Sequence, residues 1–225
     1  MQVELDLKEA KNLIDKTIKT LSDNLKSGVK IENPPESLMQ IDDAVKTLAD
    51  KGDKDCEELL SYHNQMLEKF LLDCNKELIA ETNNNFIDEF LICIEKINTM
   101  IYWMNHIFSY LEKIHLIPKV QKTLSEIEMN IYKKIFYEKI KKDIYKELEK
   151  IINEERNGNK ELRPKIKKIL NILKWFEFDK PKIIKDKNTN QIQWIDEGNS
   201  DFPKESSELN LWFKEYLIED EKKFD

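Results

Sequence analysis

The feature that most constrains this chain is the spacing of its apolar residues, which recur at steps of three and four along most of its length. In the first segment, Val3 to Lys26, one helical stripe holds Leu7, Ala10, Ile14, Ile18, Leu21 and Leu25. Such a stripe is typical of an amphipathic helix that packs on a core. Only 4 glycines and 6 prolines interrupt the 225 residues. The scarcity of helix breakers therefore predicts an all-α fold built from long helices.

Capping residues predict where the first three helices begin and end. Gly28 stands where a left-handed C-terminal cap would end the first helix. The run Asn33-Pro34-Pro35-Glu36 opens a second helix with a capping residue, a proline in the first turn and a capping box. A third helix is predicted to begin at Asp53 or Asp55 and to run through Ile79.

The middle of the chain predicts the longest helix, from Asn85 to about Leu116, with a break near Asn98 or Asn105. Pro118 is expected to end this helix, because proline cannot continue the backbone ladder. The apolar residues of this segment cover more than one face. We therefore expect it to contact more than one neighbouring helix.

A capping box of Ser125 and Glu128 is predicted to open the next long helix, which ends at Asn157-Gly158. Pro164 suits the first turn of the helix that follows. The predicted inward residues of the long helix are Ile127, Ile131, Ile135, Phe136, Ile140, Ile144, Leu148 and Ile151.

Residues 179–207 lose the helical pattern and are compatible with either a short hairpin near 182–195 or a loop. A last helix is predicted to start at Ser206-Ser207. About seven or more helices in series indicate a bundle or a helical-repeat rod. No repeat of 33 to 45 residues is visible, which disfavours tetratricopeptide, ankyrin and HEAT arrays.

The sequence carries no catalytic or metal-binding signature. Gly-rich phosphate loops and the HExxH and GxSxG motifs are absent. His63, His106 and His115 have no common helix face and are expected to be surface or core residues. Cys93 lies in an apolar run and is expected to be a buried, unreactive thiol. We therefore expect no enzyme activity, no cofactor and no metal.

Composition also indicates the compartment and the class of partner. The 3 cysteines form no CxxC pair, and no apolar stretch approaches the ~18 residues that span a bilayer, so we expect a cytoplasmic or nuclear protein without membrane contact. The net charge of -7 disfavours nucleic acid as a partner. A basic stretch from Lys160 to Lys174 leaves two alternatives, a nucleic-acid surface or the solvated side of a helix.

Exposed apolar residues are the remaining candidates for a functional surface. On the second helix, Leu38 and Ile41 fit the core side, whereas Met39 points about 100° away and is expected to be exposed. Tyr110 is a similar candidate on the long helix, because its neighbours already supply a core face.

Several segments of the chain, taken in order along the sequence, resemble the cullin family. Residues 83–86 and 104–113 are similar to the asparagine-rich start and the tyrosine-bearing apolar helix that end the first cullin repeat. Residues 130–137 resemble the helix that opens the second repeat. Residues 151–158 end in Glu-Arg-Asn-Gly, as in the cullin stretch, and residues 162–175 fit the next family helix.

The resemblance implies an elongated scaffold of a cullin-RING ubiquitin ligase, acting in ubiquitin-dependent protein breakdown. Residues 1–118 would form the first five-helix repeat, and residues 119–225 an incomplete second repeat with an irregular insertion at 179–207. In the family, the first repeat binds a Skp-type or BTB-fold adaptor through its second and fifth helices. The half that binds the RING protein and the ubiquitin-conjugating enzyme has no counterpart in this sequence.

The resemblance also suggests which residues face the adaptor. Leu38 and Met39 stand where the family has adaptor-facing apolar and aromatic residues, and Tyr110 matches a tyrosine of the fifth helix. Familiar cullins carry further tyrosines on the second helix, near the places of Asp42 and Lys46 here. The predicted adaptor contacts are Leu38, Met39, Ile41, Asp42 and Tyr110.

Two alternatives of other classes share this composition. One is a helical rod of a trafficking or tethering complex, which would copurify with coiled-coil subunits and show no link to ubiquitin. The other is a helical nucleic-acid-binding protein, which would be retained on heparin at ~0.3 M salt, unlike an acidic scaffold.

Overall fold

The computed structural model describes residues 7–28, 38–80, 85–177, 182–185, 192–195 and 208–218. Within them the chain is almost entirely helical, which confirms the all-α prediction. The helices are α1 (Leu7–Lys26), α2 (Leu38–Ala49), α3 (Asp53–Ala80), α4 (Phe86–Ile107), α5 (Ser109–Leu111), α6 (Leu124–Tyr132), α7 (Glu138–Arg156), α8 (Arg163–Glu177) and α9 (Glu208–Phe213). Wider π-helical turns extend α5, α6 and α9 over Glu112–Val120, Lys133–Tyr137 and Lys214–Ile218, and a 3-10 turn at Lys160–Leu162 precedes α8.

Of the two alternatives for residues 179–207, the hairpin is present. Strands β1 (Lys182–Lys185) and β2 (Ile192–Ile195) pair antiparallel, with Lys182 opposite Ile195. Both strands lie against α4. The predicted capping box at 33–36 and the predicted helix start at Ser206-Ser207 fall outside the described residues.

The helices share one continuous apolar core. α1 packs on α2 and α4, α3 packs on α4, and α6 lies on α3, so that the two halves of the chain contact each other directly. In the second half the core is aromatic: Tyr137 stacks on Phe176 with ring centroids 4.4 Å apart, and Tyr132 meets the same ring edge-on at 4.9 Å. The division at residue 118 into two repeats stays a prediction.

The long helix of the middle segment is interrupted at Phe108, three residues after Asn105, near which a break was predicted. α4 ends at Ile107, and Phe108 leaves the helical region with φ -99 and ψ 13. Pro118 was predicted to end this helix, and that prediction is wrong, because the π-helical turn runs on to Val120. A wider turn moves the carbonyl that the proline ring would meet in an α-helix. The helix ends instead at Gln121, which has a left-handed φ of 56.

The capping box of α6 begins two residues before its predicted place at Ser125, which is a correction to that prediction. Thr123 and Glu126 form the capping box, with the Glu126 amide donating to Thr123 Oγ1 at 3.2 Å and the Thr123 amide donating to Glu126 Oε2 at 2.9 Å. Glu128, the predicted capping partner of Ser125, is buried. The core side of α6 is accordingly Leu124, Glu128 and Tyr132, and the predicted inward residues Ile127, Ile131 and Ile135 are only partly buried.

Glu128 is the centre of a buried polar network that joins three helices. Its Oε1 lies 2.9 Å from Nε2 of His63 on α3, and its Oε2 accepts a hydrogen bond of 2.6 Å from the Asn105 amide on α4. His63 is 0% exposed and Glu128 is 1% exposed. Burial raises the pKa of Glu128, and the hydrogen bonds from His63 and Asn105 oppose that rise. The network fixes α6 against α3 and α4.

Glu128→Ala is expected to lower the free energy of unfolding by about 3 kcal/mol, because His63 would be left unpaired in the core and the partly buried Asn105 would lose its acceptor. Glu128→Gln, which keeps the shape and an acceptor, should cost about 1 kcal/mol. Urea unfolding followed by circular dichroism measures both losses. The matched control is Glu149→Ala on the exposed side of α7. A loss for Glu128→Ala no larger than that of the control would contradict the role of the network.

The same residue is expected to make stability depend on pH. Because its folded pKa is raised above the unfolded value of about 4.3, its protonation stabilises the fold below about pH 4. That contribution is lost as the pH rises through the folded pKa. Glu128→Gln does not titrate, so its stability relative to the natural protein should increase from about pH 4.5 to about pH 7. Urea unfolding across this range tests the sign, and a constant or decreasing difference would refute it.

Candidate functional site

The end of α2 and the start of α5 meet at Tyr110. Its hydroxyl donates a hydrogen bond of 2.7 Å to Oδ1 of Asp50, the residue that follows α2. This bond raises the pKa of Tyr110, because ionisation would place two negative charges side by side. The ring is half-buried, so one part of it packs and the other remains open to solvent.

Lys46 completes this arrangement from one turn earlier on α2. Its Nζ lies 3.0 Å from the Asp42 carboxylate and 5.6 Å from the centre of the Tyr110 ring. The ion pair with Asp42 raises the pKa of Lys46. We call the four residues Asp42, Lys46, Asp50 and Tyr110 the α2–α5 face.

The structure separates the predicted contact residues into three groups. Asp42 and Tyr110 lie on the α2–α5 face and are accessible. Ile41 is 0% exposed and packs in the core, so it is withdrawn from the predicted contacts. Leu38 and Met39 belong to α2, but their side chains fall outside the part that the structure describes.

The sequence did not single out Asp50, although this residue holds the Tyr110 hydroxyl. Asp50 and Tyr110 are sixty positions apart in the sequence, and an aspartate that follows a helix is usually interpreted as a solvated turn residue. A second contact also joins the α5 extension to α3, because Lys119 pairs with Asp53 and His115 Nδ1 lies 3.8 Å from the same carboxylate. These two contacts hold α5 and its extension against the end of α2 and the start of α3.

The Glu-Arg-Asn-Gly motif at the C-terminal end of α7 has a structural role. Glu155 is 1% exposed and accepts hydrogen bonds from Lys160 at 3.2 Å, Arg163 at 3.1 Å and the Tyr216 hydroxyl at 3.0 Å. Burial alone would raise the pKa of Glu155, but these three donors hold it below its usual value. The next residue, Arg156, pairs with Glu215 at 2.6 Å. The motif thus ties α7, α8 and the last helix together.

The basic stretch on α8 is paired with acidic residues. Lys165 lies 2.7 Å from Asp88, and Lys168 lies 2.8 Å from Glu95, both on α4. At the start of the stretch, Lys160 and Arg163 bind Glu155. Much of this positive charge therefore holds α8 against its neighbours, a role that neither sequence alternative named and that weighs against a nucleic-acid surface.

The described residues offer little chemistry beyond these contacts. Among them, no group of three or more His, Cys, Asp or Glu side chains is arranged to hold a metal ion. Cys56, Cys74 and Cys93 are buried free thiols, and contact with Cys74 together with burial raises the pKa of Cys93. None of the helices in the described ranges is long and apolar enough to cross a membrane.

Helices that follow one another along the chain and pack around one continuous apolar core define an all-α protein of the helical-bundle or helical-repeat class. The family model of the cullin alpha solenoid domain matches residues 18–197. Because this match covers most of the chain, the protein belongs to the cullin family. A comparison with curated proteins finds no match.

Proposed function

We propose that this chain is the N-terminal scaffold region of a cullin-RING ubiquitin ligase and that its α2–α5 face docks a substrate adaptor of Skp-type or BTB fold. The observation that supports this proposal best is the placement of Tyr110, an accessible aromatic residue held between α2 and α5 by Asp50 and Lys46. The RING protein and the ubiquitin-conjugating enzyme would bind through a C-terminal half of the ligase. We expect it to act in the cytoplasm or the nucleus.

The geometry of the face suits a docking role. Tyrosine supplies a large amphipathic contact area with few rotatable bonds, and such residues dominate many interfaces. Here the hydroxyl of Tyr110 is already bonded to Asp50, and Lys46 lies over the ring, so that the ring is ordered before a partner arrives. Ordering in advance reduces the entropy lost on binding.

The chemistry of the face also predicts how this adaptor contact differs from that of familiar cullins. The second helix carries the Asp42–Lys46 ion pair where the family has additional tyrosines. A charged pair at the rim adds orientation and salt dependence more than affinity. We therefore expect Tyr110 to be the principal aromatic anchor among the described residues of the face, and the partner to present polar groups toward Asp42 and Lys46.

Tyr110→Ala is expected to weaken adaptor binding by roughly tenfold or more, because an anchoring aromatic residue of the interface is lost. The effect is measured by calorimetric titration of the purified chain with Skp-type and BTB-fold proteins of the same organism. Thermal unfolding of the variant should remain close to that of the natural protein, since the ring is half-buried.

The matched control is Tyr102→Ala, which removes a half-buried tyrosine from α4 and should leave adaptor binding unchanged. If Tyr110→Ala unfolds the protein, Tyr110 is a core residue and the site assignment fails. Equal binding by both variants would also exclude the α2–α5 face.

A further inference from the structure

A cleft of about 310 Å³ lies between the first halves of α1 and α3, and the end of α2 closes its base. Its floor is apolar and is formed by Ile14, Leu48 and Leu59, one from each of these helices. Clefts of this size are at the lower end of those that hold a ligand or an inserted side chain. The α2–α5 face does not include any of these residues.

The rim of the cleft carries an excess of negative charge. Lys11 pairs with Glu58 across the opening at 3.7 Å, so these two charges offset each other. Asp15 on α1 and Asp55 on α3 also line the cleft and add two further carboxylates. An apolar floor beneath an acidic rim is complementary to a group with an aliphatic stem and a cationic head.

Tyr62 adds a polar group to the wall of this cleft. Its hydroxyl oxygen is buried and makes no hydrogen bond of normal geometry to another described residue. Burial and the neighbouring Asp15 carboxylate raise its pKa, so the phenol keeps its proton at neutral pH. Because this hydroxyl has no partner of normal geometry among the described residues, its oxygen can accept a hydrogen bond from a bound N–H donor.

We propose that this cleft receives an arginine side chain, flanked by apolar residues, from a partner protein. The methylene stem packs on Ile14 and Leu59, and the guanidinium donates to the carboxylates of Asp15 and Asp55 and to the Tyr62 oxygen. Arginine fits better than lysine, because its planar head presents five donors and is more easily desolvated. The site is a second protein contact, and it does not depend on the adaptor role of the α2–α5 face.

The test uses two peptides that differ only in charge. The first is acetyl-Ala-Leu-Arg-Leu-Ala-amide, and the second carries citrulline, the neutral isostere of arginine, in the central position. Each is titrated into the full chain labelled at its isoleucine and leucine methyl groups, and the shifts of Ile14, Leu48 and Leu59 are followed by NMR. We expect the arginine peptide to bind roughly tenfold more tightly at low salt and to lose this advantage at high salt.

Variants distinguish the cleft from general attraction to an acidic protein. The double variant Asp15→Asn, Asp55→Asn should abolish the preference for arginine, whereas Asp23→Asn, on an exposed part of α1, should preserve it. Ser61→Trp, which fills the opening, should abolish binding of both peptides. Thermal unfolding confirms that each variant is folded.

Three results would overturn the proposal. These are equal binding of the two peptides, an arginine preference that survives the double variant, and methyl shifts absent from the three floor residues. None of them bears on the adaptor proposal, since the α2–α5 face remains intact in every variant.

Discussion

The buried carboxylate of Glu128 imposes the constraint on which the arrangement of this chain depends. A carboxylate in a core is costly unless donors meet it, and here the donors come from His63 on α3 and Asn105 on α4. Apolar packing has no direction, so it tolerates small shifts of α6 along its neighbours. The two hydrogen bonds do not, because a shift of one residue would leave the buried His63 and Glu128 side chains unpaired. Glu155 plays a corresponding role further along, where its three donors hold α7, α8 and the last helix together.

These two anchors explain how a chain of amphipathic helices acquires a fixed shape. A scaffold positions its partners only if its helices keep their mutual orientation, and each carboxylate binds one group that is more than 60 positions away in the sequence. The position of the α2–α5 face is also fixed by the packing of the core. Phe108 and Leu111 on either side of Tyr110 are both fully buried, so the core holds the backbone of Tyr110 in place while its ring remains accessible.

The sequence was sufficient for the helices and insufficient for the contacts between them. Periodic apolar residues located the described helices, and Gly28 and Asn157-Gly158 mark ends that the structure retains. The pattern Ser/Thr-x-x-Glu occurs in two overlapping registers, at Thr123 and at Ser125, and the local sequence does not decide between them. The choice depends on His63, which lies 65 positions away from Glu128.

At the candidate site, too, the sequence indicated a residue but not the contact that it makes with another helix. Tyr110 was found from its neighbours and from the family resemblance, whereas its partner Asp50 became visible only through the fold. The apolar pattern placed Ile41 on the core side of α2, where the structure buries it, so its inclusion among the adaptor contacts conflicts with that burial. The extension of α5 past Pro118 was missed because rules for proline assume an α-helical ladder, which a π-helical turn does not follow.

The central claim, that this cullin-family chain docks an adaptor, is tested most directly by affinity capture from a lysate of its own organism, with mass spectrometry of the bound proteins. The natural protein is compared with a variant changed at Met39 and Tyr110 together. The account predicts recovery of a Skp-type or BTB-fold protein with the natural chain and its loss with the folded variant. Recovery of tethering-complex subunits, or of the same proteins by both chains, would contradict it.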